Sequence, residues 1–173
     1  MTEPFDRLSH FGDVEGLHAL LESTPYTKML GIGVLEEPAA PGKSGALAMP
    51  AGGTGTPIFV LRFSADIIGN VRLPAIHGGV IGAFLETTAL ATLIWASDSE
   101  YLPKTIDITI EYLRSGKPRD TLAQATITKH GRRVANVNVV AWQDDPSRPI
   151  AAAHGHFLIK PREDQGPRGG SEV

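Results

Sequence analysis

Apolar and polar residues recur with two different periods along the chain, and each period predicts a different element. Leu17, Leu20 and Leu21 recur at helical spacing after Asp13, which is in the position of an N-cap, so residues 13–23 predict a short helix. Residues 78–97 contain no proline, and their twelve apolar side chains are spread around the whole helical circumference. This second pattern predicts one long helix that is buried on most sides.

A period of two begins after Pro103 and predicts a half-buried strand. Thr105 falls on the polar face of this strand, opposite the apolar positions Ile106, Ile108, Ile110 and Tyr112. We expect the strand to form a four-stranded antiparallel meander with the three strands that follow it, and we expect two further strands before the long helix. The ranges of these five other strands are 32–36, 58–63, 121–129, 133–142 and 150–159.

The order of these elements predicts an α+β fold, an antiparallel sheet of about six strands wrapped around one long buried helix. A chain of 173 residues fits one domain, which we place at residues 1–160 together with the short helix. Residues 161–173 contain two prolines, three glycines, five charged residues and one apolar residue. Such a segment buries too little apolar surface to offset the entropy of ordering, so we expect a disordered tail.

Charge and cysteine content narrow the classes of function. A net charge of −3 and a pI near 6.0 give no long-range attraction to nucleic acids or to an anionic membrane. The chain has no cysteine, which excludes disulfides and a cysteine nucleophile and fits a cytoplasmic protein. The most apolar segment, residues 80–96, carries Glu86 and is shorter than the roughly 20 residues that span a bilayer. His154-Gly155-His156 has no nearby acid or cysteine to complete a metal site, so we expect no bound metal.

Glu86 is the only ionisable side chain within residues 78–97. A buried carboxylate without partners costs several kcal/mol, so Glu86 is either a structurally hydrogen-bonded acid or a catalytic acid, base or nucleophile. The helix pattern alone leaves both interpretations open.

His77, Gly78 and Gly79 stand where a loop becomes the long helix. The first N–H groups of a helix have no intrahelical partner, and two glycines let a ligand approach them, which suits an oxyanion site; tight packing is the alternative reading. His77 and Glu86 are nine residues apart, roughly 13 Å along a helix. One chain therefore cannot place both groups at one carbonyl, whereas a two-fold dimer with antiparallel helices can place Gly79 of one subunit opposite Glu86 of the other.

The arrangement resembles the hotdog-fold thioesterases related to PaaI of the phenylacetate pathway, in the 4-hydroxybenzoyl-CoA thioesterase superfamily. The resemblance covers roughly residues 58–159 and rests on His77-Gly78-Gly79-Val80, the carboxylate nine positions after His77, and the strand of residues 105–112. It implies a hotdog fold and hydrolysis of a small or medium acyl- or aroyl-CoA thioester at a homodimer interface, without a cofactor.

The same resemblance implies a role for each matching residue. Glu86 would be the catalytic carboxylate, acting as a general base or as a nucleophile. Gly78 would donate its backbone N–H to the thioester oxygen, and Gly79 would let the chain turn into the helix beside the substrate. Asn70, one residue further upstream than usual, would orient the thioester or the water, and Thr105 would hold the water unless it is only an exposed threonine.

Other readings remain open at the level of sequence. His77 is a catalytic base or a residue that shapes the loop. Arg132 and Arg133 bind the phosphates of coenzyme A or are simply solvated. Enoyl-CoA hydration and non-catalytic binding of an acyl ligand are the alternative functions, and the dimer could pair into a tetramer. The acyl group is not identified; candidates to line its pocket, which are equally candidates for the core, are Ile81, Phe84, Leu85 and Trp95.

Overall fold

A computed structural model describes residues 13–35, 56–97 and 102–160 of the chain. The tail expected at residues 161–173 lies outside this part. The short helix is present as α1, Val14–Ser23, and its first turn is capped because the Asp13 carboxylate accepts a 2.7 Å hydrogen bond from the Gly16 N–H. A second helix, α2, Pro25–Leu30, was not expected and follows directly.

The expected six-stranded antiparallel sheet is confirmed. It faces the long helix α3, Gly78–Trp95, and a separate two-stranded hairpin, β3 with β4, leads into that helix. The periodicity also missed this hairpin, because its strands are two to three residues long. The strands are β1 Ile32–Val34, β2 Ile58–Leu61, β3 Ile68–Asn70, β4 Ala75–Ile76, β5 Lys104–Tyr112, β6 Thr121–His130, β7 Val134–Trp142 and β8 Ala151–Leu158.

The strand order corrects the expected meander of four. The order is β1-β2-β6-β7-β8-β5, so only β6, β7 and β8 are consecutive neighbours, and β5 joins the far side of β8. The N–H groups of Leu113 and Arg114 both donate to the Ile150 carbonyl, at 2.9 and 3.0 Å, which ties the end of β5 to the residue before β8. Periodicity reports which face of a strand is buried but not which strand lies beside it. As a consequence, β5 is the last strand of the sheet.

Helix α3 lies against β5, β6, β7 and β8, and half of its 18 residues are buried. By length and composition this helix could cross a membrane, but its contacts with four strands identify it as the core helix of the fold. This position explains why apolar residues occur all around α3, because one side of the helix packs on the sheet and another faces α1 and α2 across a groove.

Candidate active site

The first turn of α3 is built around His77. The His77 Nδ1 accepts a 3.0 Å hydrogen bond from the Gly79 N–H, and the His77 carbonyl accepts from the N–H groups of Val80 and Ile81. The imidazole therefore acts as the N-cap of the helix, with Nδ1 unprotonated. The Gly78 N–H, between these bonded groups, has no acceptor within the described ranges. It is a free donor at the positive end of the helix dipole.

Gly69 lets His77 take this position. A Cβ atom at Gly69 would lie 2.7 to 2.8 Å from the Cδ2, Cα and Cβ atoms of His77, closer than real side chains approach. The His77 N–H also donates to the Ile67 carbonyl at 2.8 Å. Sequence reasoning missed Gly69, because an isolated glycine nine positions before the Gly78-Gly79 pair gave no signal of its own.

Tyr112, at the end of β5, supports the same turn from the sheet. Its hydroxyl donates a 2.9 Å hydrogen bond to the Gly78 carbonyl. Gly82, one turn further along α3, lets the helix lie close to β5. A Cβ at Gly82 would lie 3.0 Å from Ile110 Cδ1 and 3.4 Å from the Tyr112 hydroxyl oxygen. The sequence pattern assigned Tyr112 only to an apolar strand face. The four-residue spacing of Gly78 and Gly82 puts both glycines on one side of the helix, and this is the signal that could have indicated close packing there.

Glu86 and Thr105 meet at the other end of β5. Both side chains are half-buried, and the Thr105 hydroxyl donates a 2.6 Å hydrogen bond to Glu86 Oε1. The hydrogen bond holds the carboxylate in one orientation and leaves Oε2 without a hydrogen-bond donor among the described residues. Glu86 therefore has a structural partner and still presents one oxygen for chemistry.

A β-bulge explains why Thr105 reaches Glu86 and corrects the expected alternation of β5. Thr105 pairs with Phe157, but Asp107 pairs with His156, so Ile106 is an extra residue on β5. The bulge reverses the face of every residue before it. Thr105 therefore points to the helix, whereas Ile106 is 55% exposed.

An apolar groove of about 380 Å³ has Glu86 in its lining and is bounded by α1, α2, α3 and the residues just before β5. The candidates Ile81, Phe84 and Leu85 do not line it, because they are buried against the sheet. Trp95 packs against that same core. The groove lies on another side of the helix and is lined by Leu20, Leu21, Thr24, Tyr26, Thr27, Ala83, Glu86, Thr87, Leu90, Ala91, Ile94, Leu102 and Pro103.

The remaining candidates lie on exposed turns. The Asn70 side-chain oxygen accepts from the N–H groups of Arg72 and Leu73, at 3.0 and 3.2 Å, and so closes the turn between β3 and β4. Arg132 and Arg133 are exposed in the β6–β7 turn. Since β5 and β7 both flank β8, with Lys104 and Val134 each opposite Leu158, this turn lies at the Thr105 end of the sheet.

The two histidines near the last strand have no metal site around them in the described residues. His154 and His156 lie on the face of the sheet away from α3, and His156 Nδ1 is 2.9 Å from Asp107 Oδ1.

The two halves of the site are separated within one chain. Gly78 and Glu86 are eight residues apart on α3, about 12 Å at 1.5 Å per residue. Thr105 and Tyr112 lie near opposite ends of the nine-residue strand β5. One chain thus holds a free amide donor at one end of β5 and an oriented carboxylate at the other.

Comparison with known proteins agrees with this architecture. The thioesterase superfamily model matches residues 73–150, which include the N-terminus of α3, Glu86 and β5. A protein from Chromobacterium violaceum of known structure is 34% identical, with a TM-score of 0.66, and the match covers 91% of this chain and 98% of that one. A comparison with the curated proteins found no match.

Two more distant structures share the fold. The PaaI protein of the E. coli phenylacetic acid degradation operon has a TM-score of 0.62 at 19% identity, covering 87% of this chain and 94% of that one. A Bacillus halodurans protein, solved with CoA, has a TM-score of 0.55 at 21% identity, covering 62% of this chain and 70% of that one. The resemblance seen in the sequence is thereby confirmed, and the chain belongs to the thioesterase superfamily of hotdog-fold proteins.

Proposed function

We propose that this protein is an acyl-CoA thioesterase that works as a homodimer, alone or as a pair of dimers, with the thioester bound between Gly78 of one subunit and Glu86 of the other. The observation that carries the proposal is the position of both half-sites on one strand. Tyr112 bonds the Gly78 carbonyl near one end of β5, and Thr105 bonds Glu86 near the other. A second copy of the strand, running in the opposite direction, would complete both sites at once.

The outer edge of β5 supports such a pairing. Because β5 ends the sheet, the backbone groups along that edge have no partner strand among the described residues. Long unpaired edges favour pairing with another strand, and a two-fold axis makes two copies of one strand antiparallel. Thr105 of one copy then approaches Tyr112 of the other, and each Glu86 approaches the Gly78 of its neighbour.

The chemistry follows from the two half-sites. The Gly78 N–H donates to the thioester oxygen and stabilises the negative charge that develops there. Glu86 either removes a proton from the attacking water or attacks the carbonyl carbon itself to form an anhydride that water then opens. In both routes the carbon–sulfur bond breaks, the sulfur leaves as the protonated thiol of CoA, and water supplies the oxygen of the carboxylic acid product.

The neighbouring residues have supporting roles in this proposal. Thr105 fixes the Glu86 carboxylate and contributes to holding the water. His77 shapes the loop, a role that its Nδ1 bond to the Gly79 N–H supports over that of a base. Asn70 follows Gly69, which packs against His77, so it is a candidate to orient the thioester at the Gly78 half of the site. Arg132 and Arg133, at the Glu86 end of the sheet, are candidates for the CoA phosphates.

The test is hydrolysis of a panel of acyl- and aroyl-CoA thioesters, followed by the release of free thiol, for wild type and Glu86→Gln. We expect kcat to fall by about 100-fold or more in Glu86→Gln, because the amide can neither accept a proton nor act as a nucleophile. Glu111→Gln, which makes the same change at an exposed acid on β5, is the matched control and should retain wild-type activity. Absence of hydrolysis by folded wild type, or full activity in Glu86→Gln, would refute the proposal.

A further inference from the structure

The groove beside Glu86 has the chemical character of a hydrocarbon site. Its wall on α3 follows residues at three- and four-residue spacing from Ala83 past Leu90 to Ile94, so the groove runs along the helix. Its volume of about 380 Å³ lies within the range of small-molecule sites. Tyr26, which is 53% exposed, is the only aromatic side chain in the lining within the part of the chain that the structure describes.

The polar groups on the opposite wall do not call for a polar ligand. The Thr24 hydroxyl donates to the Leu20 carbonyl at 2.9 Å, and the Thr27 hydroxyl donates to the Leu21 carbonyl. Both hydroxyl donors are therefore satisfied by backbone carbonyls of α1. Among the described residues that line the groove, Glu86 is the only one with an acidic or basic side chain.

The length of the groove gives a measure of the ligand. Glu86 and Ile94 are eight residues apart, about 12 Å along the helix. Carbon–carbon bonds of about 1.5 Å advance an extended chain by about 1.25 Å each, so this distance matches a chain of about eight to ten carbons. Leu90, halfway along at about 6 Å from Glu86, corresponds to four or five carbons.

We propose that the substrate is the CoA thioester of a straight aliphatic acid of about eight to ten carbons, held between α1–α2 and α3, with Ile94 limiting its length. This inference rests on the proposed thioesterase function and adds the class of acyl group to it. The alkyl chain lies in the groove while its carbonyl carbon stands at Glu86. Each methylene added within the groove should raise kcat/KM by about three- to fourfold, and methylenes beyond its end should add nothing.

The experiment measures kcat/KM for straight-chain acyl-CoAs of two to sixteen carbons and for benzoyl-CoA. Wild type should prefer chains of eight to ten carbons, Ile94→Trp should shift the preferred length to about six to eight, and Leu90→Trp to about four. Met29→Trp is the matched control, since it adds the same ring to α2 at a 70% exposed position outside the groove lining, and it should leave the preference unchanged. Thermal denaturation of each variant shows whether it folds. If Leu90→Trp does not fold, Ile94→Trp by itself tests the inference.

The outcomes separate this inference from the proposed function. Hydrolysis with a preference for acetyl- or benzoyl-CoA, or a preferred length that neither tryptophan variant shifts, would overturn the inference while leaving the thioesterase intact. Loss of hydrolysis at every length would overturn the proposed function instead. A second experiment measures by calorimetry how tightly alkyl-CoA thioethers bind to the Glu86→Gln protein. These compounds cannot be hydrolysed, so the affinity reports on the groove without turnover. Affinity that stops rising near eight to ten carbons supports the inference, and affinity independent of length contradicts it.

Discussion

The two ends of β5 carry different groups, which the proposed function treats as complementary halves of one reaction site. At the Tyr112 end, the first turn of α3 is exposed and offers the Gly78 N–H, which has no acceptor there among the described residues. At the Thr105 end, Glu86 is half-buried, held by a hydroxyl, and opens onto an apolar groove. Among the described residues, the first end provides the free amide donor and the second provides the oriented carboxylate.

This difference follows from the position of each group along α3. A helix N-terminus supplies free N–H groups only at its first turn, so an oxyanion donor has to be near the loop. A carboxylate two turns later is surrounded by helix and sheet, where a defined orientation is easier to maintain. The proposed dimer would meet both demands, because it would bring the first turn of one helix to the middle of the other.

The largest expected effect comes from deleting the donor at the Tyr112 end. Gly78→Pro removes the N–H, while proline is favoured at the first helical position and the extended backbone of His77 suits the residue before a proline. We expect kcat to fall by about 100- to 1000-fold, the cost of losing one oxyanion donor, with the helix retained by circular dichroism. Gly78→Ala is the control, because it adds a similar Cβ near Tyr112 but keeps the N–H. Equal losses in the two variants would show that the donor is not used.

Mixing the two damaged half-sites should restore activity. After equal amounts of Gly78→Pro and Glu86→Gln subunits are unfolded and refolded together, half of the dimers are mixed, and each mixed dimer contains one intact site. Activity should therefore rise from a few per cent or less to about a quarter of wild type. Mixtures of wild type with itself, treated in the same way, correct for refolding losses. If the donor and the acid act within one chain, the mixture will remain as inactive as its components.

A smaller effect is expected from releasing the carboxylate at the other end. Thr105→Val keeps the shape of the side chain but removes the hydroxyl that bonds Glu86 at 2.6 Å. We expect kcat to fall about tenfold, in line with a hydrogen bond to a charged group, while KM changes little. Thr109→Val, an exposed threonine on the same strand, is the matched control. Unchanged activity in Thr105→Val would mean that the carboxylate is held by other contacts.

The sequence predicted the long helix and the separation of the half-sites well. Residues 78–97 carry a strong apolar pattern that only a core helix explains, and the nine-residue distance from His77 to Glu86 follows from helix geometry alone. The six strands were likewise found, because β2 is a dense run of β-forming residues, β5 alternates apolar and polar residues, and turn residues separate the last three strands. Strong local patterns of this kind survive in the tertiary structure.

The contacts that define the site could not be predicted in the same way. The bulge at Ile106 depends on the pairing of β5 with β8, so the alternating pattern placed Thr105 on the wrong face. The position of β5 at the sheet edge depends on a crossing connection that leaves no periodic signal. The groove depends on α2, a six-residue helix too short to show a repeat. Each of these features is non-local, and the residue pattern along one segment does not encode it.

The smallest expected effect concerns the support of the donor from the sheet. Tyr112→Phe keeps the ring against Gly78 and Gly82 but removes the hydroxyl that bonds the Gly78 carbonyl at 2.9 Å. An exposed hydrogen bond of this kind contributes about 0.5–1.5 kcal/mol, so we expect kcat to fall about threefold with KM unchanged, because the first turn loses rigidity while the groove stays intact. Tyr112→Leu, which also removes the ring, should cost more in kcat and again leave KM unchanged. A rise in KM with constant kcat would instead place Tyr112 in substrate binding, and the two ends of β5 would then differ less than their geometry indicates.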